Sequence, residues 1–320
     1  MRVLWVHNFD PNRLNAGCFV KAVIPSLQSF GVIVDLYYLG NLRSPKNLMG
    51  AIKKLKEIST DYDIVHAQYG SICSLITSFV NKPKVVTIRG NDWTVHNETI
   101  SFPFFHTRIS RFLTRISINR FDGVIPVSNR LKKEVETIYR QKIELVLPSP
   151  IDLSVWRPKI QQFENNSKKK HKVLFVSLNK KDPIKRAAVA NDALNILNKR
   201  LDNVVLSVAS NIPFEKMPSF VADHDVVLCL SESEGWPNSV KEALACNIPF
   251  VATDVSDLKE IADKEKVCVI TELVPEVIAD NLFSVLTEHS SYDVRKYVED
   301  MDVEVSAKKL IKLYNSILRK

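Results

Sequence analysis

Glycine is scarce in the second half of this 320-residue chain. Seven of its eight glycines lie before residue 124, so Gly235 stands alone in everything that follows. A lone glycine in a loop is typical of a position that needs a positive φ or a close approach of the backbone to a ligand. We therefore expect the loop around Gly235 to bind a ligand, with an ordinary strand-to-helix turn as the alternative.

Long apolar runs and paired cysteines are also missing. No apolar run is long enough to cross a bilayer, and the first residues run directly into a strand pattern, so we expect neither a membrane span nor a signal peptide. The five cysteines are odd in number and lie mostly in apolar segments, which is typical of core residues in a reducing cytoplasm. Because Cys and His show no metal-ligand spacing, we expect no metal site.

The net charge of +8 indicates an anionic partner but does not identify it. Nucleic acid, an acidic membrane and phosphorylated small molecules all carry the required charge. Basic residues interleaved with aromatic ones, which are typical of nucleic-acid binding, are absent, and we therefore expect no nucleic-acid partner.

Apolar segments with a strand pattern alternate with helical patterns along the whole chain. Strands are predicted at 2–7, 32–39, 64–67, 85–89, 123–127, 143–147, 173–176, 204–208, 225–230, 250–252 and 267–270. This alternation predicts an α/β fold with two doubly wound parallel sheets. The Lys-rich segment 159–172 is interpreted as the linker, giving domains 1–158 and 159–302, and the amphipathic helix 303–320 is expected to pack back on the first domain.

The segment Ser231–Asn247 predicts an anion site. A buried strand leads into a tight loop and then a helix, with Pro237 in the first turn, Asn238 or Ser239 as the cap, and Asn247 in a left-handed conformation at the end. The first N–H groups of a helix lack internal partners and favour a phosphate. Gly17, which opens a helix predicted at 17–30, gives a weaker signal of the same kind.

Polar residues follow several predicted strands at the edge where a doubly wound sheet binds its ligands. Arg89 is followed by Gly90, Asn91 and Asp92, and Ser128 follows the next strand. Arg89 is suited to clamp a phosphate or carboxylate, with an ion pair to Asp92 as the alternative. In the second half, four cations between 180 and 186 precede a helix and match an acidic ligand, with a solvated basic loop as the alternative. His66 is interpreted as a satisfied core histidine.

The helix predicted at 104–120 is basic and amphipathic. Ile109, Phe112, Leu113 and Ile116 lie on one side, and Arg108, Arg111 and Arg115 share another. Such a helix can lie on anionic lipid. A core helix with a solvated face is the alternative.

At this point the chain resembles the retaining glycosyltransferases of family four, which have two Rossmann-like domains facing a central cleft, known as the GT-B fold. The resemblance covers nearly the whole chain. It depends on Glu234 and Glu242, which are separated by seven residues, on Gly235 and Pro237 between them, and on the segment 249–254. The motif variant is most similar to bacterial transferases for teichuronic-acid and capsule-type polysaccharides.

The resemblance implies a role for each motif residue. The backbone of Gly235, Trp236, Pro237, Asn238 and Ser239 would bind the diphosphate of a nucleotide sugar, and Lys185 would neutralise the leaving phosphates. Glu242, about one turn into the helix, would accept hydrogen bonds from the ribose hydroxyls, and Glu234 would touch the hexose. Gly17, Asn179 and Asn211 are also expected to bind the donor. The nucleotide base is expected beside Asn211. Arg89 is assigned to catalysis, and Asn91, Asp92 and Ser128 to the acceptor side.

The chain departs from the family pattern at three places. The arginine that commonly precedes the lysine is missing from 176–179, so Lys180, Lys181 or Arg186 must replace its charge. Arg89 stands where many members have histidine, and because arginine stays protonated it can act only electrostatically. Ser149 and Pro150 replace the usual Asn-Gly.

We therefore expect a cytoplasmic, metal-independent enzyme without a cofactor, peripheral on the inner membrane face. It would transfer a hexose with retention from a nucleotide diphosphate sugar, with UDP as the expected nucleotide, to a glycan or lipid-linked saccharide in surface polysaccharide synthesis. A nucleotide-sugar epimerase of the same fold is the first alternative, and a non-catalytic polyanion-binding protein is the second.

Overall fold

A computed structural model describes residues 1–10, 12, 17–40, 42, 44–94, 102–159, 170–177, 185–210, 212–288 and 290–320. The chain divides into two compact units, one of residues 1–150 with 301–320 and one of residues 151–300. Within the described ranges, no helix has the length and apolar character that a membrane crossing requires.

The first unit contains a sheet of five parallel strands in the order β2-β1-β3-β4-β5. The strands are β1 (Arg2–His7), β2 (Ile33–Tyr38), β3 (Ile64–Ala67), β4 (Lys84–Ile88) and β5 (Gly123–Pro126). The helices are α1 (Cys18–Lys21), α2 (Ile24–Ser29), α3 (Pro45–Ile58), α4 (Ser71–Thr77), α5 (Phe102–Ser117) and α6 (Asn129–Glu136). The central strand β3 is buried along its whole length, as expected for a strand covered by helices on both faces, and the edge strand β5 is buried as well.

The second unit repeats the same arrangement in the order β10-β9-β8-β6-β7. Its strands are β6 (His171–Val176), β7 (Val204–Ala209), β8 (Val226–Cys229), β9 (Phe250–Ala252) and β10 (Val269–Ile270). Its helices are α7 (Ala187–Leu197), α8 (Met217–Val221), α9 (Asn238–Ala245), α10 (Leu258–Ala262) and α11 (Pro275–Thr287). Counted within each unit, both sheets have the strand order 2-1-3-4-5, so the expected pair of doubly wound sheets is confirmed. Ligands of such sheets bind between the first and third strands, at their carboxyl ends.

The last helix, α12 (Val303–Leu318), packs in the core of the first unit. Leu310, Tyr314 and Ile317 lie in one apolar cluster with Val3 and Trp5 of β1. A separate cluster, formed around Phe175 and Leu228, is the core of the second unit.

Two predicted elements are wrong. The helix expected at 17–30 is split into α1 and α2, because Pro25 lies in the first turn of α2 and has no N–H to continue the helix from α1. The strand expected at 143–147 is not formed. Leu147 N donates to Pro126 O at 2.9 Å, but Pro148 and Pro150 follow and cannot donate to a continuing ladder.

Candidate functional site

The junction between β8 and α9 forms the predicted helix N-terminus. The helix begins at Asn238 with Pro237 as its N-cap, and no side chain caps it. The expectation of an Asn238 or Ser239 cap is therefore wrong. Because proline has no side-chain acceptor, the first N–H groups of α9 are left available to an anionic ligand.

The other end of α9 is built as predicted. Asn247 takes a left-handed conformation with a φ of 58°. Its N–H donates to Leu244 O and that of Ile248 to Ala243 O, each at 2.9 Å, which is the Schellman pattern. The Asn247 side chain also accepts from Val294 N at 2.9 Å, so the C-terminal end of α9 is fixed in place.

Gly235 does not take a left-handed conformation, so a positive φ does not explain its presence. It is buried, and its carbonyl accepts a hydrogen bond from Ser256 Oγ at 2.6 Å. Trp236 is also buried, with only 8% of its surface exposed. The loop is therefore held against the segment that follows β9.

Lys185, Ser231 and Glu234 form a polar cluster. Lys185 Nζ forms an ion pair with Glu234 Oε1 and donates to Ser231 Oγ at 3.1 Å, and Ser231 Oγ donates to Glu234 Oε1 at 2.9 Å. Lys185 precedes α7, which follows β6, whereas Ser231 and Glu234 follow β8. The structure thus joins the two predicted residues at the point in the sheet where a ligand is expected. No role was predicted for Ser231, although the predicted anion-binding segment begins with it.

Ser231 is fixed by its neighbours. It is 1% exposed, and its carbonyl accepts from Thr253 Oγ1 at 2.6 Å. The lysine and the glutamate are both half-buried. A charged pair held in this way at a sheet edge can exchange its internal partner for a charged ligand.

Glu242 lies one turn into α9, and it has an unusual protonation equilibrium. Burial raises the pKa of its carboxyl to about 7, and the nearby charge of Lys241 opposes this rise. Lys241 is only 3% exposed, and its Nζ donates to Asn238 Oδ1 at 2.9 Å. The sequence reading missed Lys241, although a lysine among the apolar residues of this helix was a visible signal.

In the first unit, Asp92 fixes the loop after β4. Its carboxylate accepts from the backbone N–H of Gly70 at 2.7 Å, Arg89 at 2.9 Å and Gly90 at 2.9 Å. Asp92 is fully buried, and burial raises its pKa, while the hydrogen bonds from Gly70 and Arg89 oppose the rise. The residue expected on the acceptor side therefore lies inside the protein, where it orients the loop.

Arg89 is held by side chains and backbone of its own unit. Its guanidinium donates to Gln68 O at 2.7 Å, to Ser149 Oγ at 2.8 Å and to Gln68 Oε1 at 3.2 Å. Burial lowers its pKa to about 10, so it remains a cation at neutral pH. Arg89 can therefore contribute positive charge but not accept a proton.

The other residues predicted for the donor and acceptor sites differ in exposure and in their contacts. Asn91 is exposed, whereas Ser128 is buried and caps α6, since its Oγ accepts from Leu131 N at 3.2 Å. Gly17 is left-handed, with a φ of 72°, but α1 has only four residues and a correspondingly weak N-terminus. Asn179 and Asn211 lie outside the described residues, as do Lys180 and Lys181.

His66 is confirmed as a satisfied core residue. Its ring contacts Tyr314 and Thr87, and burial lowers its pKa to about 3. A cavity of about 20 Å³ beside it, lined by Gln68 and Arg89 among others, has room for a single water molecule and not for a sugar. In the described part of the chain, no group of His, Cys, Asp and Glu is arranged to hold a metal ion.

Two family models together match most of the sequence. Residues 4–155 match the model described as Glycosyltransferase Family 4, and residues 158–288 match the model described as Glycosyl transferases group 1. No curated protein sequence matches the chain.

Solved structures match the whole chain at low sequence identity. Sucrose-phosphate synthase from Thermosynechococcus elongatus has a TM-score of 0.77 at 14% identity, with all of both chains covered. A glycosyltransferase from Rickettsia africae has a TM-score of 0.72 at 16% identity, covering 100% of this chain and 99% of its own. HepE from Anabaena, solved in complex with UDP and glucose, has a TM-score of 0.70 at 13% identity, covering 99% of this chain and 100% of its own. These likenesses establish a shared fold.

Proposed function

Because the chain belongs to the group 1 glycosyltransferases of family 4, which have the GT-B fold, we propose that it transfers a hexose from a nucleotide diphosphate sugar to a saccharide hydroxyl. The observation that carries this proposal is the cluster of Lys185, Ser231 and Glu234 at the ligand-binding edge of the second sheet, in the same unit as α9 and its uncapped N-terminus. Cation, carboxylate and free N–H donors are the groups that a sugar diphosphate requires.

Each part of the donor has a suitable partner in the second unit. The first N–H groups of α9 and Lys185 would bind the diphosphate, with Lys185 released from Glu234 as the phosphates arrive. Glu234 would then be available to the hexose hydroxyls. Glu242, in its ionised form, would accept hydrogen bonds from the ribose. Residues 235–239, Trp236 included, would surround the donor, and the first unit would bind the acceptor.

In the proposed reaction, the bond between the anomeric carbon and the diphosphate oxygen breaks as the acceptor oxygen bonds to the same face of that carbon. The departing phosphate oxygen takes the acceptor's proton, which gives retention. Lys185 and the dipole of α9 stabilise the negative charge that develops on the leaving group, so the reaction needs neither a metal nor a cofactor. Arg89 would act by its charge on the acceptor side.

UDP is the proposed nucleotide, since HepE, which shares this fold, was solved with UDP and glucose. We propose a glycan or a lipid-linked saccharide as the acceptor, in surface polysaccharide synthesis within the cytoplasm. The epimerase and the polyanion-binding protein stay as alternatives. Sugar isomers that form without an acceptor would favour the first, and salt-sensitive polyanion binding without nucleotide release would favour the second.

Calorimetry with UDP, GDP and ADP tests the donor site. We expect UDP to bind most tightly, and Lys185→Ala and Glu242→Ala each to weaken it about 10-fold to 100-fold, as loss of a charge-assisted hydrogen bond requires. Lys296→Ala is the matched control, because Lys296 forms an exposed ion pair with Glu265 elsewhere in the same unit. Wild-type affinity in both Lys185→Ala and Glu242→Ala would refute the site.

A further inference from the structure

Helix α5 exposes three large apolar side chains to solvent. Ile109 is 41% exposed, Phe112 is 61% exposed and Ile116 is 49% exposed. Their spacing of three, four and seven residues places them on one face of the helix, so they form a continuous strip. We call these three residues the apolar strip of α5.

The protein is packed against a different face of α5, and that face is polar. Thr114 and Ser117 are fully buried. Thr114 Oγ1 accepts from Ser71 N at 2.6 Å, and Ser117 Oγ lies 3.0 Å from Ser74 Oγ of α4. The expected alternative, a core helix with a solvated polar face, is therefore wrong for residues 108–117: Thr114 and Ser117 face inward, whereas the apolar strip faces outward.

The charges of α5 are all positive. Its sixteen residues include Arg108, Arg111 and Arg115 and contain neither Asp nor Glu. By helical spacing these arginines form a row beside the apolar strip. Arg108 is exposed, whereas Arg115 lies over the ring of buried Trp93, 5.2 Å from its centroid. Glu134 of α6 lies near Arg115, but α5 itself carries no carboxylate. An exposed apolar strip on a helix whose charges are all positive complements the surface of an anionic bilayer.

We propose that α5 is a membrane-docking helix, whose apolar strip inserts into the interface of an anionic bilayer while the exposed Arg108 meets the lipid headgroups. A bilayer fits better than a protein groove, because lipid supplies both an apolar layer and a uniform negative surface. Membrane binding itself does not depend on the proposed transferase activity. The benefit of membrane binding to the enzyme does rest on the proposed transferase activity, since a docked helix would present the first unit to a lipid-linked acceptor.

The contacts of α5 connect this surface to the acceptor side. Thr114 Oγ1 donates to Asp92 O at 2.9 Å, and Asp92 holds the loop that carries Arg89. A helix fixed on the membrane would therefore hold this loop at a defined distance from the headgroups.

Vesicle co-sedimentation tests the proposal, with phosphatidylcholine alone and phosphatidylcholine mixed with phosphatidylglycerol. We expect wild type to bind the anionic vesicles and to be released by salt. Phe112→Ser should weaken that binding about 10-fold to 100-fold, which is the cost of losing one buried aromatic side chain. Arg108→Gln should weaken it about fivefold for anionic vesicles alone, the value of one charge near such a surface.

Met49→Ser is the matched control, because Met49 of α3 is 72% exposed in the same unit and should not affect vesicle binding. All variants should keep wild-type circular dichroism and UDP affinity in the absence of vesicles, which separates this test from that of the proposed function. Vesicle binding by Phe112→Ser equal to that of wild type, or no binding by wild type, would overturn the proposal. So would wild-type dimers that Phe112→Ser dissociates in solution, since the strip would then join two copies of the chain.

Discussion

The protonation state of Glu242 sets the pH range in which the proposed donor site works. Its carboxyl has a pKa raised by burial to about 7, so it is ionised above pH 7 and protonated below it. Only the ionised form accepts hydrogen bonds with both oxygens. The raised pKa therefore predicts a site that loses affinity as the pH falls through neutrality.

The first prediction is that UDP affinity is about tenfold lower at pH 6 than at pH 8, because one unit below the pKa only about a tenth of Glu242 is ionised. Calorimetry across this range measures the effect. Phosphate groups also titrate near pH 6, so Glu242→Gln is the necessary reference, and its smaller remaining pH dependence belongs to the nucleotide. Identical pH profiles for the two proteins would contradict the assignment.

Lys241 carries a second prediction at this scale. Its charge lowers the pKa of Glu242, and its ammonium holds Asn238 at the start of α9. Lys241→Met should therefore move the midpoint of the UDP pH profile above that of wild type. Lys259→Met, which removes an exposed charge from α10, should leave the midpoint in place. A weaker affinity with an unchanged midpoint would mean that Lys241 acts only by holding Asn238.

Among the elements, α4 requires a glycine before its first residue. A Cβ at Gly70 would lie 2.6 Å from Thr114 Oγ1 and 2.9 Å from the Asp92 carboxylate, whereas a Cβ at Gly50 in α3 would meet nothing within 4 Å. Alanine substitutions at the two positions can be compared directly, because they differ in the space around the added methyl group.

We predict opposite effects of alanine at these two glycines. Gly70→Ala should lower the free energy of unfolding by about 1–3 kcal/mol through overpacking. Gly50→Ala should raise it by about 0.5–1 kcal/mol, because alanine loses less backbone entropy in a helix. Urea denaturation of both variants measures the difference. A Gly70→Ala variant as stable as wild type would mean that α5 shifts away easily, and that the contacts of Thr114 are weak.

Local sequence patterns predicted most helices and strands, but not which other elements each of them packs against. The periodic apolar residues of α12 predicted its first residue, and the short apolar run of β9 predicted both of its bounds, since both signals are local. For α5 the pattern showed an apolar side and a basic side, but not which side packs on α4. That depends on the polar residues of α4, which are distant in sequence. The capping of α9 was missed because Pro237 occupies the cap position itself.

Some residues of the candidate site could be predicted from the sequence, and others required the structure. Glu234, Glu242 and Lys185 belong to motifs that can be read directly from the chain. Ser231 joins Lys185 and Glu234 only because β6 and β8 are neighbours in the sheet, although 46 residues separate Ser231 from Lys185. Such a contact requires the strand order, which the sequence pattern did not provide.

At the scale of the whole molecule, the first unit is completed by the last residues of the chain. Tyr314 of α12 lies between Trp5 and His66: its hydroxyl accepts from Trp5 Nε1 at 3.2 Å and lies 2.6 Å from His66 Nδ1. His66 Nε2 lies 2.8 Å from Thr87 Oγ1, so the buried polar groups form one chain across three strands. Since burial keeps His66 neutral, the hydroxyl of Tyr314 can donate to its Nδ1.

Tyr314→Phe should therefore destabilise the first unit by about 3 kcal/mol, because it leaves two buried groups, Trp5 N–H and His66 Nδ1, without partners. Amide hydrogen exchange should be faster in β1, β3 and α12, while UDP affinity in the second unit should not change. Tyr38→Phe is the control, because Tyr38 of β2 is 39% exposed. Equal acceleration of exchange in β6 and β8 would show that this network stabilises the whole chain rather than the unit that contains it.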